Sequence, residues 1–89
     1  MSESGTRIRQ KVARIITESA EGGLSEADLD RAGGSLPALG YSSLSYIRMI
    51  DAIENTFGIE IDQDEEDDRL RSVDGIVALV AAQDESAHV

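Results

Sequence analysis

Apolar residues recur at helical spacing in three stretches of the chain, and the segments between them differ in kind. From Thr6 to Ala20, Ile8, Val12, Ile15 and Ile16 share one face of a 3.6-residue turn, with arginines and a lysine between them and no proline. The spacing predicts an amphipathic first helix, stopped at Gly22 and Gly23, because glycine is favoured just past a helix end. From Ser43 to Thr56, Leu44, Ile47, Met49, Ile50 and Ile53, followed by Phe57, cover more than one face, opposite Arg48, Asp51, Glu54 and Asn55. This predicts a second helix with more apolar surface than a small core takes up: Met49, Ile53 and Phe57 read as core, Leu44 and Ile47 as candidates for exposure. Gly58 ends it, and Ile59 and Ile61, either side of Glu60, read as a short extended piece with two inward side chains. Ser72 then caps a last helix striped by Val73, Ile76, Val77 and Val80.

The stretch Gly22 to Gly40 holds five glycines and the only proline, Pro37, with Leu24, Leu29, Leu36 and Leu39 at no regular interval. It reads as a long ordered loop pinned by leucines, a feature that in a small domain usually serves function. Ser25, with Asp28 three residues on, is placed to cap one short helical turn inside it. The acidic run Asp62 to Asp68 is expected to start a short third helix anchored by Leu70, since carboxylates are favoured near a helix amino terminus. The fold class expected is all-α: a small four-helix bundle, three main helices and one short, with a long loop between helices 1 and 2. Residues 1–89 form a single domain in this reading, with 1–5 and 83–89 as flexible tails and no internal repeat.

Composition narrows the chemistry. A chain of 89 residues buries a modest fraction of its surface, so a deep, water-excluding catalytic pocket is hard to build. Cysteine is absent, so any thiol chemistry has to be imported. No run of about 18 apolar residues occurs and Met1 to Gln10 is polar, which makes a soluble, cytoplasmic chain the expectation. The net charge of -10 opposes nucleic acid and anionic membrane surfaces, and favours basic partners and a monomer. It is unevenly spread: Arg7, Arg9, Lys11 and Arg14 lie on the first helix, whereas Glu60 to Asp68 supplies seven carboxylates. That run is not a calcium loop, because position six counted from Asp62 is Asp67 and position twelve is Val73, where glycine and glutamate are required. His88, the single histidine, stands one residue from the end, where a general base has no fixed geometry. Neither a catalytic residue nor a metal site is expected.

The informative string is Leu39-Gly40-Tyr41-Ser42-Ser43-Leu44, where the long loop becomes the second helix. Gly40 permits a tight turn, and a serine in the first helical turn exposes its hydroxyl beside unpaired backbone donors that favour phosphate. Taken alone, such a serine is most often a plain cap. Here the surroundings change the odds, because the chain resembles the acyl and peptidyl carrier protein family, whose attachment motif reads Leu-Gly-x-Asp-Ser-Leu and runs on through an apolar helix to Glu-x-x-Phe-Gly-Ile. Leu39, Gly40, Ser43 and Leu44, then Glu54, Phe57, Gly58 and Ile59, match in register, and the alignment selects Ser43 over Ser42 and Ser45. The helix around Val12-Ala13-Arg14-Ile15-Ile16 is similar to the family's opening helix, and Ser72-Val73-Asp74 to the start of its last. Two positions depart: Ser42 stands where the family carries aspartate before the attachment serine, and Ala38 replaces the aspartate before Leu-Gly. Ser42 can still cap the helix, but a carboxylate that assists the modifying enzyme's metal and basic contacts is missing.

The resemblance implies a free-standing carrier, not an enzyme. A phosphopantetheinyl transferase with magnesium would place a covalent 4'-phosphopantetheine arm, derived from coenzyme A, on Ser43, and acyl- or aminoacyl-loading enzymes and synthase or tailoring enzymes would act on thioesters held there. It implies a docking face at Leu44, Ile47, Arg48, Asp51 and Glu54, burying below roughly 1,200 Å² in each transient encounter. Arg48 and the neutral Ser42 and Ser45 make that face less acidic than in fatty-acid carriers, which favours polyketide or nonribosomal peptide biosynthesis. The rival reading is an unmodified helical interaction module in which Ser43 only caps; a hydrolase using Ser43 lacks a positioned base.

Overall fold

Each of the three apolar stripes becomes a helix in the structure, a computed structural model that describes residues 2–87. The α-helices are α1 (Ser2–Ser19), α2 (Glu26–Arg31), α3 (Ser43–Phe57) and α4 (Val73–Ala87), with 3-10 turns at Pro37–Leu39 and Arg69–Arg71. On α1, Val12 and Ile16 are fully buried and Ile15 nearly so, while Arg7, Arg9, Lys11 and Arg14 stay in water. Met49, Ile50 and Ile53 of α3 meet that stripe, and Val73, Ile76, Leu79 and Val80 of α4 close the core from the other side. Leu79 belongs to this stripe although the spacing from Val73 to Val80 did not select it, and Val77 is only half-buried. The molecule is therefore an all-α bundle, in which α1 packs against both α3 and α4. Among the described residues the only β-type pairing is an isolated antiparallel bridge between Ser35 and Ser72.

The short helix is not where the acidic run placed it. It is α2, inside the long loop, where the Ser25 hydroxyl accepts from the Asp28 amide at 3.1 Å and the Asp28 carboxylate accepts from the Ser25 amide at 3.1 Å. This reciprocal cap nucleates six residues, and Leu29 beneath it is buried. Residues 62–68 instead form turns: the Asp62 carboxylate takes the amides of Asp64 and Glu65, offering the backbone an alternative to a helix. With like charges crowded along the segment and no side chain of 62–68 buried, it does not propagate a helix and closes on the 3-10 turn that holds the buried Leu70. Leu70 anchors it as expected. Helix α1 begins at Ser2 and α4 continues to Ala87, so both enter segments expected as tails; no proline or glycine interrupts residues 84–87 once the helix is running. Met1, His88 and Val89 lie outside the described residues.

What fixes the loop is a short backbone zip. The Leu36 amide donates to Arg71 O at 2.9 Å and the Val73 amide to Gly34 O at 2.9 Å, laying the loop across the entry to α4. Leu36 is fully buried at this crossing, and Leu24 and Leu39 pack partly buried against the core. At the head of α4 the Ser72 hydroxyl accepts from the Gly75 amide at 3.0 Å, as a cap should. Gly75 itself lies against backbone: a Cβ there would come within 2.3 Å of Arg69 O.

Candidate functional site

The loop reaches α3 through one left-handed residue. Gly40, at φ 69°, closes the Pro37–Leu39 turn by donating its amide to Pro37 O at 3.0 Å, a conformation that glycine adopts without strain. Tyr41 then fastens the junction to the bundle. Its hydroxyl donates to Ile16 O at 2.8 Å, and its ring stands edge-on to Tyr46 with centroids 4.9 Å apart. Both tyrosines are thus occupied by packing. Burial pushes the Tyr41 phenol up to about 12 and raises that of Tyr46, in each case because the ionised form would be poorly solvated.

The three serines at the start of α3 are sorted by helix geometry. Ser42, extended at ψ 163°, is the N-cap: its hydroxyl oxygen accepts from the Ser45 amide at 3.1 Å and its carbonyl from the Tyr46 amide at 2.9 Å. Its own proton goes to the Glu21 carboxylate at 2.6 Å. Ser45 turns inward and is 1% exposed, with its hydroxyl 3.0 Å from that of Ser42. Ser43, between them, is exposed, and its hydroxyl makes no hydrogen bond among the described residues. The amides of Ser43 and Leu44 are likewise unpaired among the described residues, as expected of a first turn whose cap serves only the third donor.

From this serine a mixed stripe runs along α3. Leu44 is 45% exposed and Ile47 57%, the two exposed large apolar residues among those described, and Arg48 and Asp51 lie beside them in solvent. Positions 44, 47, 48 and 51 share one helical face, so four of the five residues expected to dock partners form a continuous surface. Glu54 is half-buried, and its carboxylate accepts the Ile61 amide at 2.9 Å, holding the Ile59–Ile61 segment against the helix end. Ser45, counted among the neutral residues of this face, is in the core instead, because the N-cap places the third residue of the turn inward.

Clefts flank the junction. One of about 360 Å³ lies between the end of α1 and the loop, lined by Glu21, Gly22, Gly23, Leu24, Leu39, Gly40, Tyr41, Ser42 and Ser45. Another of about 210 Å³ is bounded by Tyr46 and Ile50 of α3 and by Gln63, Asp67, Leu70 and Arg71. Among the described residues no group of histidine, cysteine, aspartate or glutamate side chains is gathered to hold a metal ion, and no helix is long and apolar enough to cross a membrane. Within the acidic run Asp67 pairs with Arg71 at 2.8 Å and Glu66 with Arg69 at 3.9 Å. Sequence reasoning did not single out Glu21; the only hint was its place just before the paired glycines that turn the chain back toward α3.

Residues 6–80 match the family model described as phosphopantetheine attachment site. No solved structure matches the chain.

Proposed function

We propose, on the premise that this chain belongs to the phosphopantetheine attachment-site family, that its arm is carried on Ser43. Membership itself supplies the cofactor, a covalently attached 4'-phosphopantetheine, and the carrying role of such domains supports reading the chain as a carrier and not an enzyme. Such domains meet a phosphopantetheinyl transferase and the synthase enzymes that act on their cargo. The observation that favours Ser43 over its neighbours is its free, exposed hydroxyl, set against the engaged Ser42 and the buried Ser45.

The residues present fit a phosphodiester. In the modification the Ser43 oxygen would bond to the phosphorus of the pantetheine phosphate as the bond from that phosphorus to adenosine 3',5'-bisphosphate broke, and the hydroxyl proton would leave to a base of the transferase. The unpaired amides of Ser43 and Leu44 and the positive end of α3, fifteen residues long, favour the negative charge that remains there. When bound, the arm supplies a terminal thiol on which acyl or aminoacyl groups ride as thioesters. The space around Gly40 is open, with nothing within 4 Å of the place a Cβ would take, and it is the left-handed φ of 69° that calls for glycine there.

Leu44, Ile47, Arg48 and Asp51 are the surface that partner enzymes dock on, with Glu54 at its far end braced by Ile61. Two exposed aliphatic side chains beside one cation support association by apolar contact, and with it a place in polyketide or nonribosomal peptide assembly. Because the chain has no cysteine, thiol titration gives the test directly. After incubation with coenzyme A, magnesium and a promiscuous transferase, then removal of free coenzyme A, one thiol should appear per wild-type chain and none on Ser43→Ala. A thiol-free wild type would make the domain an unmodified interaction module.

A further inference from the structure

Ser42 removes a carboxylate from the position before the attachment serine, yet the fold restores one from elsewhere. Glu21 follows the last turn of α1, and Gly22 and Gly23, at φ 83° and 76°, reverse the chain immediately after it. Its Oε1 accepts the Ser42 hydroxyl proton at 2.6 Å, so an anion stands against the N-cap of α3, one residue from the Ser43 hydroxyl. Glu21 is exposed, and no lysine or arginine pairs with it among the described residues. A carboxylate has two oxygens and several lone pairs, so one hydrogen bond leaves it able to accept more.

We propose, resting on the attachment of the arm at Ser43, that Glu21 stands in for the missing aspartate and draws the magnesium–coenzyme A complex to the serine during modification. Magnesium is bound by one or two carboxylates together with substrate phosphates and retained waters, so a single exposed carboxylate beside the nucleophile suits a metal that arrives with its diphosphate. The chain would then bind no magnesium alone, in keeping with the lack of a gathered ligand set among the described residues. Reach also matters: glutamate delivered from across the loop replaces aspartate on the adjacent backbone, so the carboxylate's position depends on the turn at Gly22 and Gly23 and on the Ser42 hydroxyl.

The experiment measures the rate of arm transfer by one promiscuous transferase across a magnesium series, for wild type, Glu21→Gln, Glu18→Gln and the double variant Glu21→Gln with Ser42→Asp. Glu18→Gln makes the same charge change on α1 without touching Ser42, and should match wild type. Glu21→Gln should lower kcat/KM about tenfold and raise the magnesium concentration for half-maximal rate, the size of effect expected when one charged contact to an incoming partner is lost. Ser42→Asp should restore both, because it returns a carboxylate at the neighbouring position. Melting temperatures separate a capping role, which would lower stability but leave the magnesium dependence in place. An unchanged rate and magnesium dependence in Glu21→Gln, or a slow Glu21→Gln that Ser42→Asp leaves slow, overturns the proposal. A wild-type chain that takes no arm overturns the Ser43 assignment on which it rests.

Discussion

At the scale of single residues, the start of α3 shows how one helix turn gives three serines different chemistry. The N-cap must turn its oxygen to the backbone, and Ser42 does; the residue three on packs under the cap, and Ser45 does; the two residues between them are left in water, and of these Ser43 carries the hydroxyl. The motif Leu39-Gly40 with Leu44 pointed to Ser43 in the sequence, but the inward turn of Ser45 and the partnership of Ser42 with Glu21 could not be read there, since both depend on how the chain packs in space. Tyr41 offers a prediction at this scale. Its folded-state value of about 12 lies above the ordinary 10.0, so the unfolded chain gives up the phenolic proton first as pH rises. The stability tied to the neutral phenol is fully present below pH 10.0 and should be lost as pH climbs through about 12. Denaturant unfolding followed from pH 9 upward should show this decline, and Tyr41→Phe should reduce its slope while Tyr46, also raised, retains part of it.

At the scale of elements, periodicity located α1, α3 and α4, because each buries one stripe of aliphatic side chains and the stripe is written in the spacing. The short helix was misplaced because short helices are decided by caps and competing turns more than by composition. The Ser25–Asp28 box was readable and real, whereas the Asp62 carboxylate spends itself on the Asp64 and Glu65 amides and diverts the acidic run into turns. The turn that follows rests on α4 at Gly75, a contact that no sequence pattern announced. A Cβ at that position would meet Arg69 O at 2.3 Å, Arg69 Cα at 2.8 Å and Arg69 C at 2.9 Å, all backbone atoms that cannot swing aside. Alanine ordinarily gains up to about 1 kcal/mol over glycine in a helix. Here the clash should win, and Gly75→Ala should destabilise the fold by roughly 1–3 kcal/mol in denaturant titration, the usual cost of overpacking. A neutral or stabilised variant would mean that the Arg69–Arg71 turn is free to shift off α4.

At the scale of the whole molecule, the bundle fixes the head of α3, where the Ser43 hydroxyl is exposed. The zip between residues 34–36 and 71–73 ties the long loop to the head of α4, Tyr41 ties it to α1, and Gly40 delivers the chain to α3. The carboxylates of the Glu60–Asp68 stretch and the cations of α1 give the molecule an uneven field, and in the proposed carrier role that field would orient a basic partner before apolar contact at the exposed Leu44 and Ile47. Much of this arrangement was legible in advance because the leucines at 24, 29, 36 and 39 mark where the loop must touch the core. The long-range pairing of Leu36 with Arg71 was not, since backbone hydrogen bonds leave no trace in side-chain identity. The central claim, that this bundle presents Ser43 for the arm, is tested most directly by mass. Wild type, Ser42→Ala, Ser43→Ala and Ser45→Ala would be treated with coenzyme A, magnesium and transferase, and the modified peptide then fragmented to locate the added group. One phosphopantetheine on Ser43 in every chain except Ser43→Ala is the expected result; an arm found on Ser42 or Ser45, or retained by Ser43→Ala, would contradict it.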